Sequence, residues 1–504
     1  MDAFWLTQSA TAAYAVVLGI LCVYGLHRYS LVYLFLKTKH QRPEPKSRFA
    51  ELPYVTVQLP MYNEQYVAKR IIERTCEIDY PRDRLEIQVL DDSTDETVEI
   101  ASETVDRMRA LGHNVVFIHR DNREGYKAGA LQEGTKQARG EFIAIFDADF
   151  MPPTEILRGT IHFFTDEKIG MVQSRWGHLN RDLSLLTQTQ AILLDGHFLI
   201  EHAARNRTGR FMSFNGTAGI WRRCAIDDAG GWEHDTLTED LDLSYRAQLR
   251  GWKFIFLPDL KSPAELPPEM NAFKAQQHRW TKGGTQTCIK LLPRVLMSKE
   301  RWQVKLEACF HLSAGFVYIL IVLLSLLIGP AIYLKLTYPQ YLPGGQRILD
   351  LVLFFVGTCS ALSFYICSQR QLPRSWFECI RYMPVLMCVA VGIAFNNAVA
   401  AVEGLIGHPS EFVRTPKFGD EAHRNGNWQK RAGSFRIRGS WQAWAELGLG
   451  LHLCGWLAAC VASENWLERA SAAAPFMLMF IVGYFYVALQ TFYGQWISRR
   501  PVTS

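Results

Sequence analysis

Several familiar signals are missing from this chain, and each absence removes a class of explanation. The 11 cysteines in 504 residues form no CxxC pair and show no metal-ligand spacing. Seven of them (Cys309, Cys359, Cys367, Cys379, Cys388, Cys454 and Cys460) lie in the apolar C-terminal part. They read as small buried hydrophobes, which excludes a disulfide framework and a zinc module. Charge of one sign is also scarce: 54 Lys and Arg against 49 Asp and Glu leave a net +5, too little for this length to suggest nucleic acid as a partner. No Lys or Arg precedes the first apolar run, and no cleavage site follows it. That run is therefore read as an anchor and not as a signal peptide.

Long hydrophobic runs are present. Apolar residues make up 49% of the chain, unevenly distributed, and the length exceeds one ordinary core. Segments 10–26, 309–336, 348–367, 383–405, 441–461 and 472–491 are each long enough to span a bilayer. Arg28, Lys37, Lys39, Arg42, Lys46 and Arg48 follow the first run, so the positive-inside rule puts the N-terminus outside and the next domain in the cytoplasm. Basic residues flank 383–405 on both sides, and Asn396, Asn397 and Glu403 lie within it. Five crossings plus one interfacial or re-entrant helix at 383–405 therefore fit better than six crossings. The expected division is an anchor and basic linker at 1–49, a cytoplasmic domain at 50–290, and a second membrane region at 291–504.

Within 50–290, strand and helix patterns alternate. "VTVQLP", "LEIQVLDD", "NVVFIHR" and "EFIAIFDADF" read as strands; "NEQYVAKRIIERTCEI", "TVEIASETVDRMRAL" and "KAGALQEGTKQA" read as helices. This predicts a mostly parallel sheet covered by helices, with ligands at the carboxyl ends of the strands. Two strands end there in acids: Asp91–Asp92 and Asp147–Asp149. Buried strands have little structural use for such pairs. The D-x-D offers hard oxygen ligands suited to Mg²⁺ or Mn²⁺ beside a diphosphate. Lys127 and its glycine neighbours in "REGYKAGAL" suit phosphate, although alone they are an ordinary helix start. "TLTEDLDL" has capping-box spacing from Thr236 to Glu239, and by itself it reads as an acidic helix start. On that reading Glu239 serves the cap and Asp242 the surface or a neighbour.

"VQLPMYNE", "IQVLDDSTDE", "FNGTAGIWR", "TEDLDL", "RGWKF" and "QQHRWTKGG" occur in the order and rough spacing of the processive family-2 glycosyltransferases of the cellulose synthase superfamily. The chain most resembles the cellulose synthase-like A and C groups. The resemblance covers about 50–290 strongly, and the flanking spans in number and placement. It implies a GT-A α/β cytoplasmic domain plus a helical transmembrane domain. It assigns Asp240 as the base that deprotonates the acceptor, with Glu239 beside it in the catalytic motif. Asp147 and Asp149 would hold the metal; Asp91, Asp92, Lys127, Asp147 and Arg279 would hold the nucleotide donor. Phe214, Asn215, Gly216, Thr217, Gln276 and Trp280 would meet the acceptor sugar. "FVRTPKFG" is similar to the gating-loop motif, which gives Phe412, Thr415 and Lys417 a role over the nucleotide. An arginine before the threonine departs from the cellulose synthase form.

The resemblance thus implies a membrane-embedded inverting glycosyltransferase that extends a β-linked mannan, glucomannan or glucan. The expected partners are membrane lipids, the nascent polysaccharide and a nucleotide sugar (GDP-mannose, GDP-glucose or UDP-glucose), with no nucleic acid. Single-sugar transfer to a lipid acceptor such as ceramide or an isoprenoid phosphate is the same-class alternative. A non-catalytic membrane scaffold is the alternative of a different class, and it would predict lost acids. The expected location is the plasma or inner membrane.

Overall fold

The computed structural model describes residues 2–341, 346–374, 376–408, 441–463, 466 and 473–498. A first helix, α1 (Asp2–Thr38), leads into strand–helix alternation: β1 (Val55–Met61), α2 (Ala68–Cys76), β2 (Leu85–Asp91), α3 (Thr97–Ala110), β3 (Val115–His119), α4 (Tyr126–Gln137) and β4 (Phe142–Ile145). After it come α5 (Ile156–Thr160), β5 (Ile169–His178), α6 (Leu185–Gly196), one π-wound turn (His197–His202), α7 (Ala203–Arg207), β6 (Gly219–Arg222), α8 (Arg223–Asp228), α9 (Glu239–Leu249) and β7 (Lys253–Ala264). The remaining described helices are α10 (Met270–Met297), α11 (Trp302–Leu312), α12 (Phe316–Thr337), α13 (Gln346–Gln369), α14 (Trp376–Gly392), α15 (Ala394–Leu405), α16 (Trp441–Val461) and α17 (Ala474–Ser498).

The seven strands form one mixed sheet in the order β3-β2-β1-β4-β6-β5-β7. β1, β2, β3 and β4 run parallel, as do β5 and β7, while β6 is antiparallel to both its neighbours. Every residue of β1 and β2 is buried, as expected of strands covered on both faces. Their polar side chains are matched across the register: Thr56 donates to Glu86 (2.7 Å) and Gln58 to Gln88 (3.1 Å). The strand order reverses direction between β1 and β4, which opens a crevice at their carboxyl ends. The acids after β4 emerge there.

One face of the sheet packs under α2 and α3 through Val57, Leu59, Ile71, Ile72 and Val105. The opposite core contains Ile143, Leu131, Phe198 and Trp221, and also Leu31 and Phe35 of α1 and Phe364 of α13. With 37 residues, α1 is about 55 Å long, well beyond the roughly 30 Å of a bilayer's hydrocarbon. Its C-terminal turns are thus part of the sheet domain's core.

Five described helices are long and apolar enough to cross a membrane: Ala3–Thr38, Phe316–Thr337, Trp376–Leu405, Trp441–Val461 and Ala474–Ile497. The expected span at 309–336 is two helices, α11 and α12, broken at Ser313–Gly315, and only the second is apolar enough to qualify. The segment containing 383–405 is likewise divided, with α14 passing to α15 at Ile393, and it is the most enclosed of the five. α15 is buried against α10 through Asn396, whose side chain donates to the Lys274 carbonyl (3.1 Å). A wholly lipid-facing helix would leave that amide unpaired.

Candidate active site

Four pieces of backbone meet at the crevice: the turn after β4, the start of α4, the loop before β6, and the start of α9. α10 closes the remaining side. Together they form an open cleft lined by Lys127, Asp147, Asp149, Asn215, Gly216, Glu239, Asp240, Gln276, Arg279 and Trp280, among others. Ten of the residues singled out from sequence therefore lie around one open cleft.

The loop before β6 sets the cleft floor. Gly216 has φ +76° and Ala218 φ +58°, two left-handed residues within three positions. This curl turns Phe214 into the core, fully buried against Trp221 and Trp232, and faces Gly216 toward the acids. A Cβ at position 216 would sit 3.0 Å from Asp240 Oδ2 and 3.5 Å from Lys127 Nζ, so glycine is needed for both conformation and approach. Lys127 donates to Asp147 Oδ1 (2.5 Å) and to the Gly216 carbonyl (2.9 Å). Thr217 is buried and accepts from the Asp147 backbone N–H (2.9 Å), so it supports the D-x-D from beneath.

α9 begins at Glu239 with Thr238 as its N-cap, and no side chain caps it. The capping box from Thr236 to Glu239 does not form, because the helix starts two residues later than the spacing suggests. Glu239 instead faces the cleft. Asp242 is fully buried and ion-paired with Arg246 (2.6 Å) and Lys290 (2.9 Å), so the surface alternative for it is also corrected. α10 lies directly against this helix start. A Cβ on Gly283 would fall 2.6 Å from Thr238 Cγ2 and 2.8 Å from its backbone nitrogen. Gln286 accepts from the Leu237 N–H (3.0 Å), and the hydroxyls of Thr238 and Thr287 are 3.2 Å apart.

Electrostatics separate the three acids of "TEDLD". Burial pushes the Asp240 carboxyl well above the usual range, the Glu239 carboxylate pushes it further, and Lys127 opposes both. Glu239 is raised by burial too, with Lys127 pulling it back. Burial lowers Lys127, but Asp147, Glu239 and Asp240 together outweigh it and hold the ammonium charged. A carboxylate pushed toward neutrality in a cleft has the properties of a general base.

Five carboxylates (Asp147, Asp149, Glu239, Asp240 and Glu265) line the cleft against the cations Lys127 and Arg279. That hard-oxygen excess suits a divalent cation with its diphosphate. Among the described residues, the acid cluster whose carboxylate oxygens already converge as a metal site's would is a different one, Glu233, Asp235 and Asp242. Its centre is taken by the Lys290 ammonium, within 2.6, 2.7 and 2.9 Å of the three carboxylates, so it is a structural ion-pair network.

Some expected residues lie apart from the cleft. Asp91 is fully buried and bonded to His119 (2.7 Å) and the Ser93 N–H. Asp92 takes two bonds from Arg120 (2.8 and 2.6 Å). Phe412, Thr415 and Lys417 lie outside the described residues. Gly407 and His408, shortly before them, border a recess shared with Tyr126, Lys127 and Glu239. Sequence reasoning missed Trp176 and His178, which line the cleft from the end of β5. The usable signal was "RWGH", bulky groups around a glycine at a strand end.

Residues 53–283 match the family model described as Glycosyltransferase like family 2. The chain is 36% identical over 384 residues to glucomannan 4-beta-mannosyltransferase 7 of Arabidopsis thaliana, covering 69% of this chain and 68% of that one. It is 35% identical over 412 residues to glucomannan 4-beta-mannosyltransferase 1 of Cyamopsis tetragonoloba, covering 77% and 73%. The match to glucomannan 4-beta-mannosyltransferase 2 of Arabidopsis thaliana is 43% identical but spans only about half of each chain, 54%. Among solved structures, mannosyltransferase PcManGT from Pyrobaculum calidifontis in complex with GDP-Man and Mn²⁺ superposes with a TM-score of 0.52 at 20% identity. It covers 80% of this chain and 100% of that one, and it supports the fold. The chain thus belongs to the cellulose synthase-like family of glucomannan 4-beta-mannosyltransferases, and it is a family-2 hexosyltransferase with a GT-A domain.

Proposed function

We propose that this enzyme extends a β-linked, mannose-containing polysaccharide from a nucleotide sugar, with GDP-mannose as the first donor to test. The observation that carries the reading is the convergence of Asp147, Asp149, Asp240, Arg279 and Trp280 on one cleft. Asp240 accepts the proton of the acceptor hydroxyl as that oxygen bonds to the anomeric carbon. The bond to the nucleoside diphosphate breaks on the opposite face, and the configuration inverts. Asp147 and Asp149 are the residues that would hold a divalent cation, Mg²⁺ or Mn²⁺, which neutralises charge on the departing diphosphate. Arg279 supplies a planar guanidinium for the same oxygens. Trp280 and Gln276 offer an apolar face and an amide to the acceptor ring.

The sheet domain is placed in the cytoplasm on the strength of the basic run after the first span, with the N-terminus outside. The segments 1–49, 50–290 and 291–504 serve as anchor, transfer unit and membrane unit, with α10 continuous across the second boundary. Phe412, Thr415 and Lys417 are assigned to covering the nucleotide. The test is incubation of the purified chain with radiolabelled GDP- and UDP-sugars and Mg²⁺ or Mn²⁺. Long products cut by β-mannanase support the reading. Discrete lipid-linked monosaccharides, or no transfer from any donor, overturn it.

A further inference from the structure

The turn before α7 is wound as a π-helix over His197–His202. In an α-helix, residues five apart point about 140° away from each other, whereas closing i→i+5 hydrogen bonds stacks them on one side. Here the winding brings the two imidazoles to 4.3 Å between ring centres. Both grip the same side chain. Asn215 Nδ2 donates to His197 Nε2 (3.0 Å), and Asn215 Oδ1 accepts from His202 Nε2 (2.6 Å).

One end of this chain is a carboxylate. Glu201 Oε2 lies 3.1 Å from His197 Nδ1, and a carboxylate only accepts. His197 Nδ1 therefore donates to Glu201, and as the Asn215 amide is placed its Nδ2 faces His197 Nε2 while its Oδ1 faces His202 Nε2. His202 is fully buried, and burial holds it neutral. Glu201 is anchored by Arg205 (3.4 Å). Arg205 is bonded to Glu307 (2.9 Å), and Glu307 meets His27 of α1 (3.1 Å). The Asn215 N–H is braced separately by Gln173 (3.1 Å).

We infer that the Glu201–His197–Asn215–His202 chain is a positioning network for the glycosyl transfer. It clamps Asn215 so that Gly216 stays packed against Asp240 and its carbonyl holds Lys127, and Arg205 and Glu307 moor it to the first membrane helix. Neither imidazole is part of the cleft lining, whereas Asn215 and Gly216 are, so both act through that pair. The donor-side groups Asp149 and Arg279 lie on other elements, after β4 and on α10, while Asp147 meets the clamped loop through Thr217 and Lys127. The inference rests on the proposed role of Asp240.

The experiment compares His202→Gln with His202→Met in the full-length protein in detergent. The two side chains are close in length, but only Gln returns an N–H near the position of Nε2. For His202→Met the expected result is a kcat lowered about 10- to 100-fold, with nucleotide affinity by calorimetry within about threefold of wild type. For His202→Gln a kcat within about threefold of wild type is expected. Loss of folding alone would lower active protein in both without separating them. Equal kcat for the two variants, whether normal or reduced, overturns the inference. Asp240→Asn run in parallel keeps the two readings apart: normal turnover there removes the base assignment, while the Gln/Met contrast still reports on the clamp.

Discussion

At the scale of single residues, the three acids of "TEDLD" have three fates set by where a helix starts. Asp240 faces Gly216 across the cleft, Glu239 shares that cleft, and Asp242 is sealed between Arg246 and Lys290. Asp240→Asn is expected to lower transfer by about 10³-fold or more while nucleotide binding persists. Radiolabelled turnover beside calorimetry measures both, and near-normal turnover would remove the base assignment. Asp240 works deprotonated, and burial and Glu239 both raise its pKa. Activity should therefore fall on acidification at a pH above that of an ordinary aspartate. Removing the neighbouring like charge with Glu239→Gln should move the acid limb of kcat/KM to lower pH, and an unmoved or raised limb contradicts the electrostatic picture. Most of this site was legible because acids at the ends of buried strands have few structural uses. Asp91 and Asp92 satisfied the same rule, but Arg120, His119 and Ser93 engage them internally, and sequence spacing does not reveal such partners. The Thr236 cap was misread for a local reason: tertiary packing of α10 on Thr238 sets the helix start, and this outweighs a capping box.

At the scale of elements, strand and helix alternation was readable through β4 because β1, β2 and β4 are buried on both faces and read as short apolar runs. Beyond β4 the chain turns to the antiparallel β6 and the irregular β5–β7 pair, where the periodicity fades, and Trp176 and His178 were lost with it. α10 is the element that joins the acceptor motif to the catalytic helix, and its two adjacent glycines are not equivalent. A methyl at Gly283 strikes the Thr238 backbone at 2.8 Å, whereas one at Gly284 meets nothing within 4 Å. Gly284→Ala should be neutral or stabilising by up to about 1 kcal/mol, since alanine favours helix. Gly283→Ala gains the same propensity but must push α10 from α9, at a cost of about 1–3 kcal/mol. It should also slow transfer by misplacing Arg279 and Trp280 relative to Asp240. Melting temperature and kcat for the pair decide this, and equal behaviour of the two alanines would show that the close approach does not matter.

At the scale of the whole molecule, the sheet domain is not tethered to the membrane helices but fused with them. Leu31, Phe35 and Phe364 belong to its core, a continuity invisible to a boundary drawn from composition. The polar counterpart is a buried junction between β5, α6 and α13. Asp195 Oδ2 accepts from Arg181 (2.6 Å) and from Gln369 of α13 (3.1 Å), His178 approaches Oδ1 at 3.3 Å, and Arg181 also donates to Gln369 (2.7 Å). Burial alone would raise the Asp195 pKa, but His178, Arg181 and Gln369 outweigh it and bring it to about 2. A carboxyl depressed on folding contributes stability above its unfolded pKa, near 3.9, and loses that contribution as pH falls toward the folded value. A depression of that size corresponds to about 2–3 kcal/mol at neutral pH. Asp195→Asn keeps the shape and removes the charge, so it should lower the melting temperature by several degrees at pH 7. The gap from wild type should narrow as pH drops below about 4, because the native carboxyl then approaches neutrality as well. Melting curves of both proteins in one detergent between pH 7 and pH 3 test it. A gap that stays constant through that window would mean the junction holds by shape and hydrogen bonding without its charge.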